Sequence, residues 1–277
     1  MKKREVWMPI AVAIALIGMW EFCVDVFHVP LYLLPSPSRI LISLYENRSV
    51  LFSHAMVTLV EALLGLGIAL VLAMSTAILM DISKAFRNSV YPHLVVTQTV
   101  PVMVLAPLFS IWLGFGMAPK VLIVIFMCYF PITISFADGM AQVSQKQINL
   151  LKSFQASRFQ IYTMVKIPAA ASSLFSGLKV GATYCIGGAI VGEWISSSAG
   201  LGYYMLRMKN GYMLDKVFAS VIVVIILSLL LNGCVDIAKK WLCPHAKKEH
   251  KEQKTYEKIY IRITGNVMCH CDKWMCK

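Results

Sequence analysis

Residues 149–168 read N-L-L-K-S-F-Q-A-S-R-F-Q-I-Y-T-M-V-K-I-P. This polar, basic, amphipathic stretch has room for a short helix plus a turn, and it lies between two strongly apolar runs, 118–136 and 169–195. A few residues suffice to join two membrane-crossing helices, so the connection alone does not require such an insert. Lys152 and Arg158 give it basic edges, and Phe154, Phe159 and Tyr162 give it apolar anchors. Aromatic anchors inside a polar rim are what a docking surface needs. Residues 157–166 are expected to end one short helix and turn into the next.

The chain is 58% hydrophobic and 14% charged, with mean hydropathy +0.69; a soluble domain carries roughly a quarter charged residues. Apolar runs at 7–24, 55–80, 90–112, 118–136, 169–195 and 217–235 approach the roughly 20 residues that cross a bilayer as helix. Helix is the spanning structure such runs support. The expected fold is therefore all-α, with about six transmembrane helices and a cytoplasmic helical loop. Its parts are a first helix and amphipathic outer segment (1–54), a transmembrane core (55–240) and a basic, disordered tail (241–277). The formal net charge of +12 sets orientation and attracts anionic lipid. No stripe of aromatics accompanies it, which excludes nucleic acid as the partner.

Gly65, Gly67, Ala69 and Ala73 offer a small-residue face on the second run, and the pairs Gly177/Gly181 and Gly188/Gly192 do so on the fifth. Pro101 and Pro107 interrupt the third run and kink it. With six spans both termini share a face. Placing them inside puts Lys2, Lys3, Arg4, Lys84, Arg87, Lys146, Lys152, Arg158, Lys166, Lys239 and Lys240 in the cytoplasm. Arg39, Arg48, Lys120, Arg207, Lys209 and Lys216 then fall in outer loops, while Asp81, Lys84 and Arg87 mark a short polar inner loop.

No catalytic constellation is present. Residues 114–121 approach a phosphate-binding loop, but Pro119 and Val121 replace the required glycine and hydroxyl residue. His28, His54 and His93 are isolated near span ends, where interfacial solvation accounts for them. Of the eight cysteines, Cys23, Cys128, Cys185 and Cys234 lie in apolar runs as small hydrophobes. Cys269, Cys271 and Cys276 gather with His270 but lack paired C-x-x-C spacing, so reduced thiols are expected rather than a metal site. No cofactor is expected. Ionisable groups inside spans are candidates for a transport path: Glu193 near the outer end of the fifth span, and Glu61 and Lys179, which either pair or snorkel to the interface. Gln98 and Thr99, beside Pro101, are uncharged candidates for lining that path. Asp138, ending the fourth span, is expected to make a helix-end contact.

The insert resembles the cytoplasmic loop of ATP-binding-cassette importer permeases, E-A-A, three residues, G-A-S, about ten residues, hydrophobic-P. The register here is Asn149-Leu150-Leu151, Gln155-Ala156-Ser157, Ile167-Pro168. Asn149 stands for the usual Glu and Gln155 for the usual Gly; loss of that glycine removes an easy φ > 0 position and is expected to alter either the turn or the coupling. The resemblance spans residues 34–240. It includes Leu34-Pro35-Ser36-Pro37, Gln98-Thr99-Val100-Pro101, Ala106-Pro107-Leu108-Phe109, Trp112-Leu113-Gly114-Phe115-Gly116, Ala137-Asp138-Gly139, Gly192-Glu193-Trp194 and Ala199-Gly200-Leu201-Gly202-Tyr203. These are similar to the nitrate/sulfonate/taurine type, and within it most to permeases for the pyrimidine precursor of thiamine.

The resemblance implies a non-catalytic transport subunit in the bacterial inner membrane, with both termini cytoplasmic. It implies a homodimer, two copies of a separate ATP-binding subunit and an extracellular or periplasmic solute-binding protein. The docking residues it implies are Asn149, Leu150, Leu151, Lys152, Phe154, Gln155, Ala156, Ser157, Arg158 and Pro168. The path candidates are Gln98, Thr99 and Glu193. Aliphatic sulfonate, taurine or nitrate is the alternative cargo, and an ion-coupled carrier or channel is the alternative class. That class lacks support from an internal inverted repeat.

Overall fold

The computed structural model describes residues 3–243, with side chains described from Trp7 onward. Residues 1–2 and the tail from 244, including Cys269, His270, Cys271 and Cys276, lie outside the described residues. Contacts group the chain into Met1–Val235 and Asp236–Lys277; of the second unit, the end of one helix is described.

The described residues are helical in eleven α segments and one π turn: α1 (Lys3–Val26), α2 (Pro37–Glu46), α3 (Arg48–Ile82), α4 (Lys84–Thr99), α5 (Val102–Leu113), α6 (Met117–Ala141), α7 (Gln145–Ser153), α8 (Arg158–Ile161), a π-helical turn (Tyr162–Lys166), α9 (Ile167–Ser196), α10 (Leu201–Asn210) and α11 (Leu214–Leu242). Among the described residues five helical stretches are long and apolar enough to cross a membrane, or six if α4 and α5 count as one. The expected all-α polytopic fold is what forms.

Helix α6 is central, packed along α3 on one side and α9 on the other. Small residues set this approach. On α3 the stripe Thr58, Ala62, Gly65, Ala69, Ala73 and Ala77 is buried at helical spacing. A Cβ at Gly65 would stand 2.6 Å from Val124 Cγ1, and one at Gly177 would stand 2.7 Å from Ser135 Cβ and 2.8 Å from the Pro131 carbonyl oxygen. Gly67, expected on the same face, has nothing within 4 Å. It lies two positions from Gly65, about 200° around the helix. In a bilayer such close backbone contact supplies the dispersion that holds helices together.

The third apolar run, expected as one kinked span, is sharply broken. It is two helices, α4 and α5, meeting at 103°. Val100 and Pro101 are extended there. The break falls before Pro101 because a proline disfavours helical geometry in the residue preceding it. Pro107 sits inside α5 without breaking it.

Two apolar clusters mark the ends of α3. Leu51 and Ala55 pack with Ile40 of α2, Leu201 and Tyr204 of α10, and Ala219 of α11. Ala77 and Met80 pack with Leu94, Phe136, Ala137, Met140 and Ala170, and with Tyr162 of the π turn. Between residues 55 and 80 a helix rises roughly 40 Å, so the α10 region and the polar insert occupy opposite ends of the bundle.

Candidate functional site

The insert forms from local signals. Ser144 caps α7, its Oγ accepting from the Lys146 N–H at 3.3 Å. The helix closes in a Schellman turn: the Ala156 N–H donates to the Leu151 carbonyl at 3.0 Å and the Gln155 N–H to the Lys152 carbonyl at 2.9 Å. This closure needs a left-handed residue, and Gln155 supplies it with φ 58°. The turn expected to change on losing glycine therefore keeps a left-handed residue, adopted by a side-chain-bearing one. Ser157 then opens α8 rather than ending a helix. Its Oγ accepts from the Gln160 N–H at 3.3 Å, and its own N–H donates to Gln160 Oε1 at 2.8 Å, a reciprocal cap. The π turn carries α8 into α9, so the 157–166 stretch is the start of a helix and not a turn.

The faces of this loop divide. Ile148 and Ile161 are buried. Asn149, Leu150, Lys152, Phe154, Gln155, Ser157, Arg158 and Pro168 are exposed, and Leu151 and Ala156 are half-buried. Phe154 and Phe159 are 75% and 76% exposed, leaving two bare aromatics between basic residues. Tyr162, expected beside them, instead turns into the bundle. It packs on the Ala77–Met80 cluster, and its hydroxyl donates to Asp81 at the end of α3.

A second constellation lies at the other end. Lys120 of α6 donates to Glu61 of α3 and, at 3.1 Å, to Ser197 Oγ. Glu193 of α9 accepts from Thr58 Oγ1 at 2.6 Å and from the Gly202 N–H. Thr58 Oγ1 in turn accepts from the Leu201 N–H at 2.8 Å. His54 Nδ1 accepts from the Gly200 N–H at 3.0 Å. Three side chains from α3 and α9 thus satisfy the first N–H groups of α10, which a helix start otherwise leaves open. Gly200, at φ 108°, is where the chain turns into α10, and a Cβ there would land on the Glu193 carboxyl.

Several expectations change here. Lys120 is not a loop charge but a buried side chain. Glu61 pairs with Lys120 rather than with Lys179, which is exposed. His54, expected only to be solvated at a span end, also accepts from the Gly200 N–H. Lys120 carried no sequence signal beyond its position two residues into an apolar run. Asp138 does make a contact, with Arg87 at 4.0 Å between exposed side chains. Gln98 and Thr99 end α4 with exposed side chains, beside the Pro101 bend as expected. Thr99 Oγ1 donates back to the Val96 carbonyl at 2.8 Å. Among the described residues no group of three His, Cys, Asp or Glu side chains is placed to hold a metal ion.

Comparison with known proteins identifies the class. A probable ABC transporter permease protein of Haemophilus influenzae is 32% identical over 84% of this chain and 96% of its own length. The formylaminopyrimidine transport permease protein ThiX of Halalkalibacterium halodurans is 31% identical over 87% of this chain and 96% of its own. The putative aliphatic sulfonates transport permease protein SsuC of Bacillus subtilis is 26% identical over 87% of this chain and 88% of its own. Among solved structures, a chain of the inward-facing MetNI methionine ABC transporter shares the fold with TM-score 0.63 at 15% identity, covering 71% of this chain and 98% of that one. Residues 65–248 match the family described as binding-protein-dependent transport system inner membrane component, and the chain belongs to that family.

Proposed function

We propose that this chain is the membrane-spanning half of an ATP-driven importer that carries a pyrimidine precursor of thiamine into the cytoplasm. It works as a homodimer. Two copies of a separate ATPase dock on Asn149, Leu150, Leu151, Lys152, Phe154, Gln155, Ala156, Ser157, Arg158 and Pro168. A solute-binding protein delivers cargo on the opposite side, and both termini are cytoplasmic. Nucleotide binding draws the two docking loops together and exchanges inward-open for outward-open arrangements of the spans. Gln98, Thr99 and Glu193 contribute polar groups along the path.

The observation that carries this reading is the bare Leu150–Phe154–Phe159 surface edged by Lys152 and Arg158 on a loop whose backbone is fully capped. An exposed apolar, basic-rimmed surface of this kind fits a protein partner. The pyrimidine assignment rests on the similarity to the formylaminopyrimidine permease and on charge. The buried cluster joins two carboxylates, Glu61 and Glu193, to one cation, Lys120, so it offers no surplus positive charge to an anionic sulfonate. A neutral heterocycle is better served by hydrogen-bonding groups and flat apolar walls.

The test is reconstitution in vesicles with the ATPase and binding protein. The expected result is ATP-dependent accumulation of a labelled formylaminopyrimidine but not of taurine or an alkanesulfonate. Accumulation of taurine instead would replace the cargo; accumulation without any ATPase would replace the class with an ion-coupled carrier.

A further inference from the structure

Asp81 is the next-to-last residue of α3, yet its partners lie in the docking loop. Tyr162 Oη and Lys166 Nζ both donate to the same oxygen, Oδ2. The Lys166 ammonium also stands 5.0 Å from the centre of the Tyr162 ring, within cation–π range. The carboxylate and ammonium are largely withdrawn from water, at 12% and 15% side-chain exposure. Arg87–Asp138 nearby is different: 4.0 Å apart and 42% and 54% exposed, a geometry that contributes little.

The position of the two donors matters as much as the contact. Tyr162 and Lys166 are the first and last residues of the π turn, the segment joining α8 to α9. π turns are uncommon and occur often at functional positions, where the backbone accommodates an extra residue. Asp81 therefore holds both ends of the π turn in an otherwise continuous helical run. One residue beyond Ile82 the chain breaks at Ser83, which caps α4. α4 in turn ends at Gln98 and Thr99.

We propose that Asp81 is a positioning residue that carries displacement of the docking loop into α3 and the root of α4. Movement of α8 then reaches the helices bordering the Pro101 bend directly and not through α9 alone. The inference rests on the docking reading above. In physical terms Asp81 makes the π turn and the α3 end one body, so the two shift together between states.

The experiment uses the assembled transporter, with chain, ATPase and binding protein in vesicles. ATP hydrolysis and cargo uptake are measured together for Asp81→Asn, Asp81→Glu, Tyr162→Phe, Lys166→Met and Arg87→Ala. Asp81→Asn and Lys166→Met are expected to retain the ATPase subunit and its hydrolysis while uptake per ATP falls about tenfold, the size of a typical coupling free energy. Asp81→Glu is expected to recover much of the ratio, and Arg87→Ala to leave it unchanged. A role confined to stability would lower hydrolysis and uptake in proportion; an unchanged ratio in assembled complexes overturns the proposal. Should Asp81→Asn fail to assemble, Tyr162→Phe, which removes one hydroxyl and no charge, decides in the same way. The docking reading fails separately, if Ala156→Asp complexes still hold the ATPase.

Discussion

Lys120 on α6 donates to Glu61 on α3, and both side chains are buried, yet Glu61 Oε2 has no hydrogen-bond partner. Removing one member of a buried pair strands the other charge. Glu61→Ala is expected to destabilise the purified chain by about 3–5 kcal/mol, read as a lower thermal midpoint in detergent or nanodiscs. The double replacement Glu61→Leu with Lys120→Met should recover most of that loss, because a well-packed apolar pair avoids the desolvation cost. Equal loss in the single and double variants would show that the cluster matters through shape and not charge.

Gln155 holds the left-handed turn after α7 at φ 58°. For a residue with a Cβ that region costs about 1–2 kcal/mol relative to right-handed geometry. Gln155→Gly is expected to stabilise the turn by about 1 kcal/mol without altering its hydrogen bonds. Gln155→Val should destabilise it, since a β-branched residue tolerates φ > 0 poorly. Proteolytic nicking at the loop would report both: slower for glycine, faster for valine.

The membrane class was legible in the sequence because apolar length is a local property that survives any tertiary arrangement. Gly177 and Gly192 were legible as contact points for the same reason, small residues at helical spacing having one common use in a bilayer. The insert's amphipathic character was equally plain. Pairings were not. Lys120 finds Glu61 across 59 residues, and Tyr162 finds Asp81 across 81; periodicity says nothing about which polar residue meets which across two helices. Proline signalled a disturbance near 101–107, but only the structure separates Pro101, at a 103° break, from Pro107, absorbed inside α5.

Gly177 is close enough to α6 that a Cβ would meet the Pro131 carbonyl oxygen at 2.8 Å, backbone that cannot swing aside. Gly177→Ala is expected to push α9 from α6 and cost about 1–3 kcal/mol. Gly67→Ala faces open space and should be neutral or slightly stabilising through helix propensity. Thermal unfolding of the two variants in the same detergent checks the contrast; equal midpoints would mean that the α6–α9 approach is not set by that glycine.

Glu193 and Thr58 together close the start of α10. Glu193→Ala leaves the Gly202 N–H without its acceptor in a buried place and the Thr58 hydroxyl with only the His54 carbonyl, 3.2 Å away, at a cost of about 1–3 kcal/mol. Glu193→Gln keeps an acceptor for one of them and should lose less. If Glu193 also borders the cargo path, the Gln variant changes the uptake KM beyond what its stability loss explains. A KM that tracks wild type while the thermal midpoint drops would assign Glu193 to holding α10 alone.

Ala156 is the half-buried residue whose N–H closes the α7 turn onto Leu151. Ala156→Asp preserves that backbone bond, because the side chain takes no part in it. It places a carboxylate in the apolar surface that Phe154 and Phe159 flank, where a docked subunit would have to desolvate it. Association with the ATPase is expected to weaken at least about tenfold, the equivalent of 1.4 kcal/mol. Membrane insertion and thermal midpoint should stay within about 0.5 kcal/mol of wild type, as for other surface changes. Co-purification of the ATPase in undiminished yield would move the docking site off this loop, whatever the class of cargo.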